Sequence, residues 1–299
     1  MQQQNRAYLC AAAAVLAWST VATAFKLGLE HLTPPALLAW SALASLLVLL
    51  VTLVVRGGLR AVSRWTARDY LYSALLGFLN PGLYYAVLFE AYDRLPAQQA
   101  QPLNYAWPVV LVLLSALFLR QRLRALTLVA MGICLLGVAV ISTRGNLSEL
   151  AFSDPLGVGL ALFSTVIWAS YWLLNLRDDG DPVLRLTVNF AFGTLFAFGY
   201  AGLVGGVAWP TTVGLLGAAY VGTFEMGLTF VLWISALRLS RNTAQVSGQI
   251  FLAPFLSLVW IHQVLGEAIH PSTLVGLVLI VGGIILVQRA TRVDSAGAV

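Results

Sequence analysis

Residues 218–233 read AAYVGTFEMGLTFVLW, and the one charged residue in that stretch, Glu225, lies near the middle of an apolar run from about Val213 to Ala236. As a helix, a run of about 20 residues crosses the hydrocarbon core of a bilayer. An unpaired charge at mid-membrane costs at least about 2.5 kcal/mol. Glu225 must therefore meet water, a partner or a solute in a cavity, or else hold a proton and bond between helices. A carboxylate in a wet chamber can bind an ammonium group or carry a proton. Asn80 holds the matching place in an earlier apolar run, and both residues begin a triplet that disturbs a helix, NPG at 80–82 and EMG at 225–227. Tyr84, one turn beyond Asn80, joins the same side of the expected cavity.

Other runs carry polar and aromatic faces. Ser19, Thr23 and Lys26 form one helical stripe with Trp18 beside it, and Trp168, Trp172 and Asn175 share a face next to Tyr171. Trp and Tyr normally gather at membrane interfaces, so the mid-span Trp18 and Trp168 either pack the core or grip a solute. Lys26, the only lysine in the chain, either snorkels to the nearby span end or faces the cavity. Gln98, Gln101 and Tyr105 share a face, as do Gln245 and Gln249; such amides tie helices together or bind a polar ligand. Pro81, Pro108 and Pro254 lie deep within spans, where proline kinks a helix and frees carbonyls. With Gly227, they are candidate hinges.

The chemistry of hydrolases and ATPases has no anchor: HExxH, a Walker glycine loop and GxSxG are all absent from the sequence. Cys10 and Cys134 fall inside apolar runs and read as packing residues, and the three histidines, His31, His262 and His270, fall at span ends or loops. No catalytic residue, metal site or cofactor is expected.

The elements that position these residues follow from composition. The chain is 60% hydrophobic and 10% charged, against about 25% charged in soluble domains, so it is an integral membrane protein. The apolar runs lack period-2 alternation, which makes the spanning elements helices. Ten spans are predicted, at about 7–25, 35–55, 69–92, 97–119, 125–142, 155–176, 183–206, 211–236, 243–264 and 271–288. Proline falls at several helix starts, in TPP, DP, WP and HP.

With the N-terminus in the cytoplasm, that side holds fourteen basic residues, chiefly in the loops with Arg56–Arg68, Arg120–Arg124, Arg177–Arg185 and Arg238–Arg241, while the other side holds Lys26, Arg94 and Arg144. This positive-inside bias predicts that both termini are cytoplasmic. It also accounts for the net charge of +5 without a nucleic-acid partner. Arg6, the apolar run after it and ATA at 22–24 resemble a cleavable signal peptide, but the first span has a counterpart later in the chain, and it is read as a permanent helix.

That counterpart belongs to an internal repeat. Residues 90–121 lie over residues 235–267, pairing Pro108 with Pro254 and, further on, Gly137 with Gly283; LAWST at 16–20 parallels IWAS at 167–170. With one gap, Ala91 meets Ala236 and Asn80 meets Glu225. Two five-span halves, 1–146 and 147–299, must be inverted relative to each other because five is odd. The arginine-rich loops of the first half match GGVAWPTT and VLGEAIHPST, which hold no arginine or lysine. Inversion demands that swap. Such halves build a central site open to one side at a time, the architecture of a transporter.

The order of these features, with AYDRLPA at 91–97, ALRLSRNTA at 236–244 and LGE at 265–267, resembles the drug/metabolite transporter superfamily, specifically its EamA-type members. Where that family often has GE in the first half, this chain has LRQ at 119–121. Within the superfamily the chain is similar to bacterial aromatic amino acid exporters. The resemblance implies a basket-like all-α fold, a central cavity, and export of amino acids across the bacterial inner membrane. Aromatic side chains would grip the apolar part of the solute, while Glu225 and Asn80 would handle the ammonium or a proton. Export of cationic aromatic drugs is the alternative. A membrane-embedded enzyme would need paired acids, a metal cluster or a nucleophile with its base, and only one mid-span carboxylate is present; a scaffold would carry no flux. The partners expected are a small-molecule substrate, the lipid bilayer and protons.

Overall fold

In hydrocarbon every backbone N–H and C=O must be satisfied within the segment itself, and runs this apolar fold accordingly. The structure, a computed structural model, describes residues 2–63, 65–118, 125–146, 154–175, 180–205, 207, 209–240 and 248–296, among which there are helices and no strand. Among these described residues, eight helices are long and apolar enough to cross a membrane. They are α1 (Gln2–Leu29), α2 (Pro34–Val55), α3 (Ala67–Arg94), α4 (Ala97–Phe118), α5 (Ala125–Ser142), α6 (Pro155–Asn175), α7 (Pro182–Val204) and α8 (Thr212–Leu239). Two shorter apolar helices follow: α9 (Gln249–Leu265) and α10 (Pro271–Ala296), the latter apolar over Pro271–Leu286. The first part of the expected ninth span, with Gln245, and residue 119 lie outside the described residues. So do Arg64, Arg120, Arg122, Arg124, Arg177 and Arg241 of the charge ledger.

Short polar residues start these helices. Thr66 and Asp69 form a reciprocal capping box at α3, and the Asp181 carboxylate accepts from Val183 N and Leu184 N ahead of α7, with Pro182 in the first turn. Each satisfies orphan donors that the helix leaves open. Outside the bundle the apolar residues stay bare: Val55 is 81% and Leu203 88% exposed. Water would not tolerate that belt, and lipid does.

Inside, α1 packs on α8 and α9, while α6 packs on α3 and α4; α2 lies against α7, and α5 against α10. Arg185, at the start of α7, ties that helix to α3. Its guanidinium donates to Asp69 O and Ser73 Oγ, both at 3.0 Å, and lies 4.3 Å from the centre of the Trp65 ring. Charge-assisted hydrogen bonds and the ring face together offset the burial of this cation.

Two helices are interrupted midway by a turn of π type, and α4 by a turn at 105–106. In α3 the turn Phe78–Leu83 is of π type, with Asn80 extended (φ −145°, ψ 117°) and the Asn80–Pro81 peptide cis. In α8 the turn Val221–Gly227 is also of π type, and the helix restarts after Gly227 (φ −110°, ψ −92°). Close backbone approach sets both bends. A Cβ on Gly77 would lie 2.2 Å from the carbonyl oxygen of Asn189, and one on Gly222 would lie 2.2 Å from that of Ser41. Pro108 and Pro254 differ from their sequence reading. Pro108 stands at the start of Trp107–Phe118, after a turn at 105–106, and Pro254 in the first turn of Ala253–Leu265. In a first turn the missing N–H breaks no intrahelical bond; each proline follows a change in its span, the turn at 105–106 for Pro108 and the 3-10 turn Gln249–Leu252 for Pro254.

Candidate functional site

Among the described residues, seven helices turn aromatic or apolar side chains toward a central cavity of about 410 Å³, with α9 and α10 adding Ile250, Phe251 and Ile284. Trp18, Val21, Ala22 and Phe25 come from α1, at the spacing of a single helical face. Tyr84, Leu88 and Tyr92 do the same on α3, and Phe230, Trp233 and Leu237 on α8. Gln101, Asn104, Tyr105 and Trp107 of α4, and Trp168 and Trp172 of α6, close the other walls. Glu225 is the only charged residue among the described residues that line it.

The wall is organised around Trp168. Its ring centre lies 4.6 Å from Tyr84, 5.8 Å from Tyr171, 5.9 Å from Phe230, 6.0 Å from Trp172 and 6.4 Å from Trp107. Trp18 sits edge-on to Phe230 at 5.9 Å and 5.5 Å from Trp233. These side chains therefore pack on one another and face the cavity at once; the two sequence readings were not exclusive. Among the rings lies a polar girdle. The Tyr85 hydroxyl donates to Glu225 Oε1 at 3.0 Å, the Tyr84 hydroxyl donates to Asn104 Oδ1 at 3.2 Å, and Asn104 Nδ2 donates to Ser164 Oγ at 2.9 Å. The Gln101 side-chain carbonyl accepts from Ser257 Oγ.

The structure thus brings together Glu225, Trp18, Tyr84, Trp168, Trp172 and Tyr105, but not Asn80. Asn80 is fully buried, and both of its amide atoms lack a hydrogen-bond partner among the described residues. Its extended backbone breaks the helical phase that would have set it on the face of Tyr84. Asn80 and Glu225 each lie in a turn of π type, but of the two side chains only that of Glu225 lines the cavity. Of the four candidate hinges, Pro108 alone lines the cavity.

The expected stripe on α1 points elsewhere. Ser19 Oγ accepts from Trp260 Nε1 of α9 at 3.1 Å, and Thr23 is 5% exposed. Lys26 does not snorkel: its ammonium donates to the carbonyls of Tyr92 (2.8 Å) and Leu95 (3.2 Å), where α3 ends. Across the same turn, the Glu267 carboxylate accepts from Ala97 N (2.9 Å) and Gln98 N (3.2 Å), where α4 begins. A cation at a helix C-terminus and an anion at an N-terminus both oppose the helix dipole. Gln98 completes the clamp, donating to Ala268 O at 2.8 Å and accepting from His270 N at 2.9 Å. Beneath the clamp, Phe25 stacks edge-on against Tyr85, Phe89 and Tyr92. Among the described residues, none further along α1 than Phe25 or along α3 than Tyr92 lines the cavity, so it is stoppered at this end.

Sequence reasoning missed Phe25, Tyr92, Asn104, Trp107, Phe230 and Trp233. The first two were visible as the continuation of faces already marked, seven residues after Trp18 and eight after Tyr84. Glu267 entered the sequence reading only as part of LGE; its partners lie 170 residues away.

A multi-pass helical membrane protein with a solute-sized aromatic chamber belongs to the class of small-molecule transporters, and known proteins agree. The model of the EamA-like transporter family matches residues 5–143 and again 155–289. The chain belongs to that family, within the drug/metabolite transporter superfamily, whose members are transporters and not enzymes. It is 28% identical to a probable terminal-alkyne amino-acid exporter of Streptantibioticus cattleyicolor, over 93% of this chain and 91% of that one. It is also 28% identical to the uncharacterized transporter YvbV of Bacillus subtilis, over 99% and 96% of the two chains. A solved crystal structure superposes with a TM-score of 0.65 over 96% of this chain and 98% of the other, at 23% identity.

Proposed function

We propose that this protein is a secondary transporter that exports amino acids, aromatic and other amphipathic ones, or related metabolites across the bacterial inner membrane by alternating access. The observation that carries the proposal is the central chamber, in which aromatic faces surround one carboxylate. Rings offer stacking and cation–π contacts to an aromatic or amine-bearing solute, and Glu225 pairs with its ammonium or takes a proton. The related probable amino-acid exporter favours the same substrate class.

The mechanism rests on ten spans in two inverted halves, 1–146 and 147–299, with both termini cytoplasmic. Three features support this arrangement. The contacts of α1 with α8 and α9 are repeated by those of α6 with α3 and α4. Equivalent glycines approach equivalent partners: a Cβ on Gly137 would lie 2.7 Å from Gly276 O, and one on Gly283 would lie 2.7 Å from Ala130 O. Those pairs run antiparallel along α5 and α10, as the fifth helices of inverted halves must. The positive-inside bias then sets the Lys26 clamp on the periplasmic side. With that side closed, the cavity is poised toward the cytoplasm, and the bends at Pro81 and Gly227 are where the halves would flex.

The test is a panel of labelled solutes in proteoliposomes, with and without a pH gradient. Saturable flux of tryptophan is expected. Flux of methyl viologen without tryptophan would favour a cationic-drug exporter, and the absence of any flux would remove the proposal.

A further inference from the structure

We infer that the cavity recognises the ammonium end of its solute and merely tolerates a carboxylate, so that an arylalkylamine binds in preference to the amino acid bearing the same ring. The inference rests on the solute-binding role proposed above and concerns what that site selects.

Charge asymmetry is the starting point. Among the described residues lining the chamber there is one carboxylate, Glu225, and no lysine, arginine or histidine. The nearest ammonium, that of Lys26, lies beyond the Phe25 plug and is engaged by the carbonyls of Tyr92 and Leu95. Only neutral donors stand in its place: Asn104 Nδ2 already donates to Ser164, the Gln101 amide nitrogen lies beside a carbonyl engaged by Ser257, and Trp172 Nε1 has no partner among the described residues. A neutral N–H can hydrogen-bond a carboxylate but leaves its charge uncompensated beside Glu225.

Glu225, in contrast, has capacity left. Its Oε1 accepts from Tyr85, while Oε2 has no hydrogen bond among the described residues. An entering ammonium meets that oxygen and the faces of the surrounding rings. A carboxylate entering the same space brings a second negative charge beside Glu225, with no cation to offset its desolvation. The positive end of the solute is therefore bound and the negative end is carried along. Carboxylic acids without an amine are excluded.

Three indole probes separate these ends: tryptamine (cation), tryptophan (zwitterion) and indole-3-propionate (anion). Binding to the purified full-length chain is measured by calorimetry, and flux in proteoliposomes. Tryptamine is expected to bind at least about tenfold tighter than tryptophan, with no measurable binding of the acid. In Glu225→Gln the preference for the amine should shrink to less than about threefold, while the fold, read by circular dichroism, is kept. Tryptophan binding as tightly as tryptamine, or indole-3-propionate binding at all, would overturn the inference and leave the export proposal standing. Binding and flux of none of the three would overturn both.

Discussion

Replacing Lys26 with methionine tests the stopper at one end of the cavity. The side chain keeps an unbranched apolar stem out to Cε, and the ammonium with its two hydrogen bonds to Tyr92 O and Leu95 O is lost. A hydrogen bond to a charged group contributes about 1.5–3 kcal/mol. The net weakening is set at the lower bound for one such bond, about 1.5 kcal/mol. That corresponds to about a tenfold rise in the population open at the Lys26 end. The assay is maleimide labelling of a single cysteine at Ala22, a cavity residue only 1% exposed, in a chain whose Cys10 and Cys134 are replaced by serine. Right-side-out and inverted vesicles report the two faces separately. Labelling about tenfold faster from the Lys26 side alone is expected; unchanged labelling in a folded variant would refute the closure argument.

Further substitutions probe the walls and the bends. Trp168→Ala removes the ring on which Tyr84, Trp107 and Phe230 converge; each aromatic pair contributes about 0.5–1.5 kcal/mol beyond area, so flux competition should show tryptophan losing several-fold more than alanine, and equal losses would leave only a packing role. Gly222→Ala places a methyl 2.2 Å from Ser41 O and 2.7 Å from Ala44 Cβ, where neither can yield. Overpacking of this kind costs about 1–3 kcal/mol. Thermal unfolding in detergent should show a lowered midpoint for that variant and none for Gly132→Ala, where nothing lies within 4 Å.

Much of this architecture was legible in the residues because lipid permits so few solutions. Uninterrupted apolar runs between prolines and charged loops placed most helix ends within a few residues, and TPP at 33–35 marks the start of α2, although α1 begins already at Gln2 and α10 runs on to Ala296. The walls of the chamber were read in part. Trp18, Tyr84, Trp168 and Glu225 stood out because polar or interfacial residue types occupy mid-span positions, whereas Phe25 and Phe230 looked like ordinary lipid-facing or core residues. Two features were beyond reach. The side chain of Asn80 left the cavity because one residue adopts extended dihedrals inside a helix, which no periodicity announces. The clamp joins Lys26 to carbonyls 66 and 69 residues away and Glu267 to amides 170 and 169 residues away; backbone partners leave no side-chain pattern to read.

Uptake of labelled tryptophan by proteoliposomes carrying wild-type chain or Glu225→Gln is the most direct measurement. The amide keeps the size of the side chain and still accepts from Tyr85, so the fold should survive. Loss of the charge facing a bound ammonium costs about 2–5 kcal/mol, and flux at low substrate should fall at least about thirtyfold. Wild-type flux with unaltered pH dependence in Glu225→Gln would contradict a transport site centred on this carboxylate.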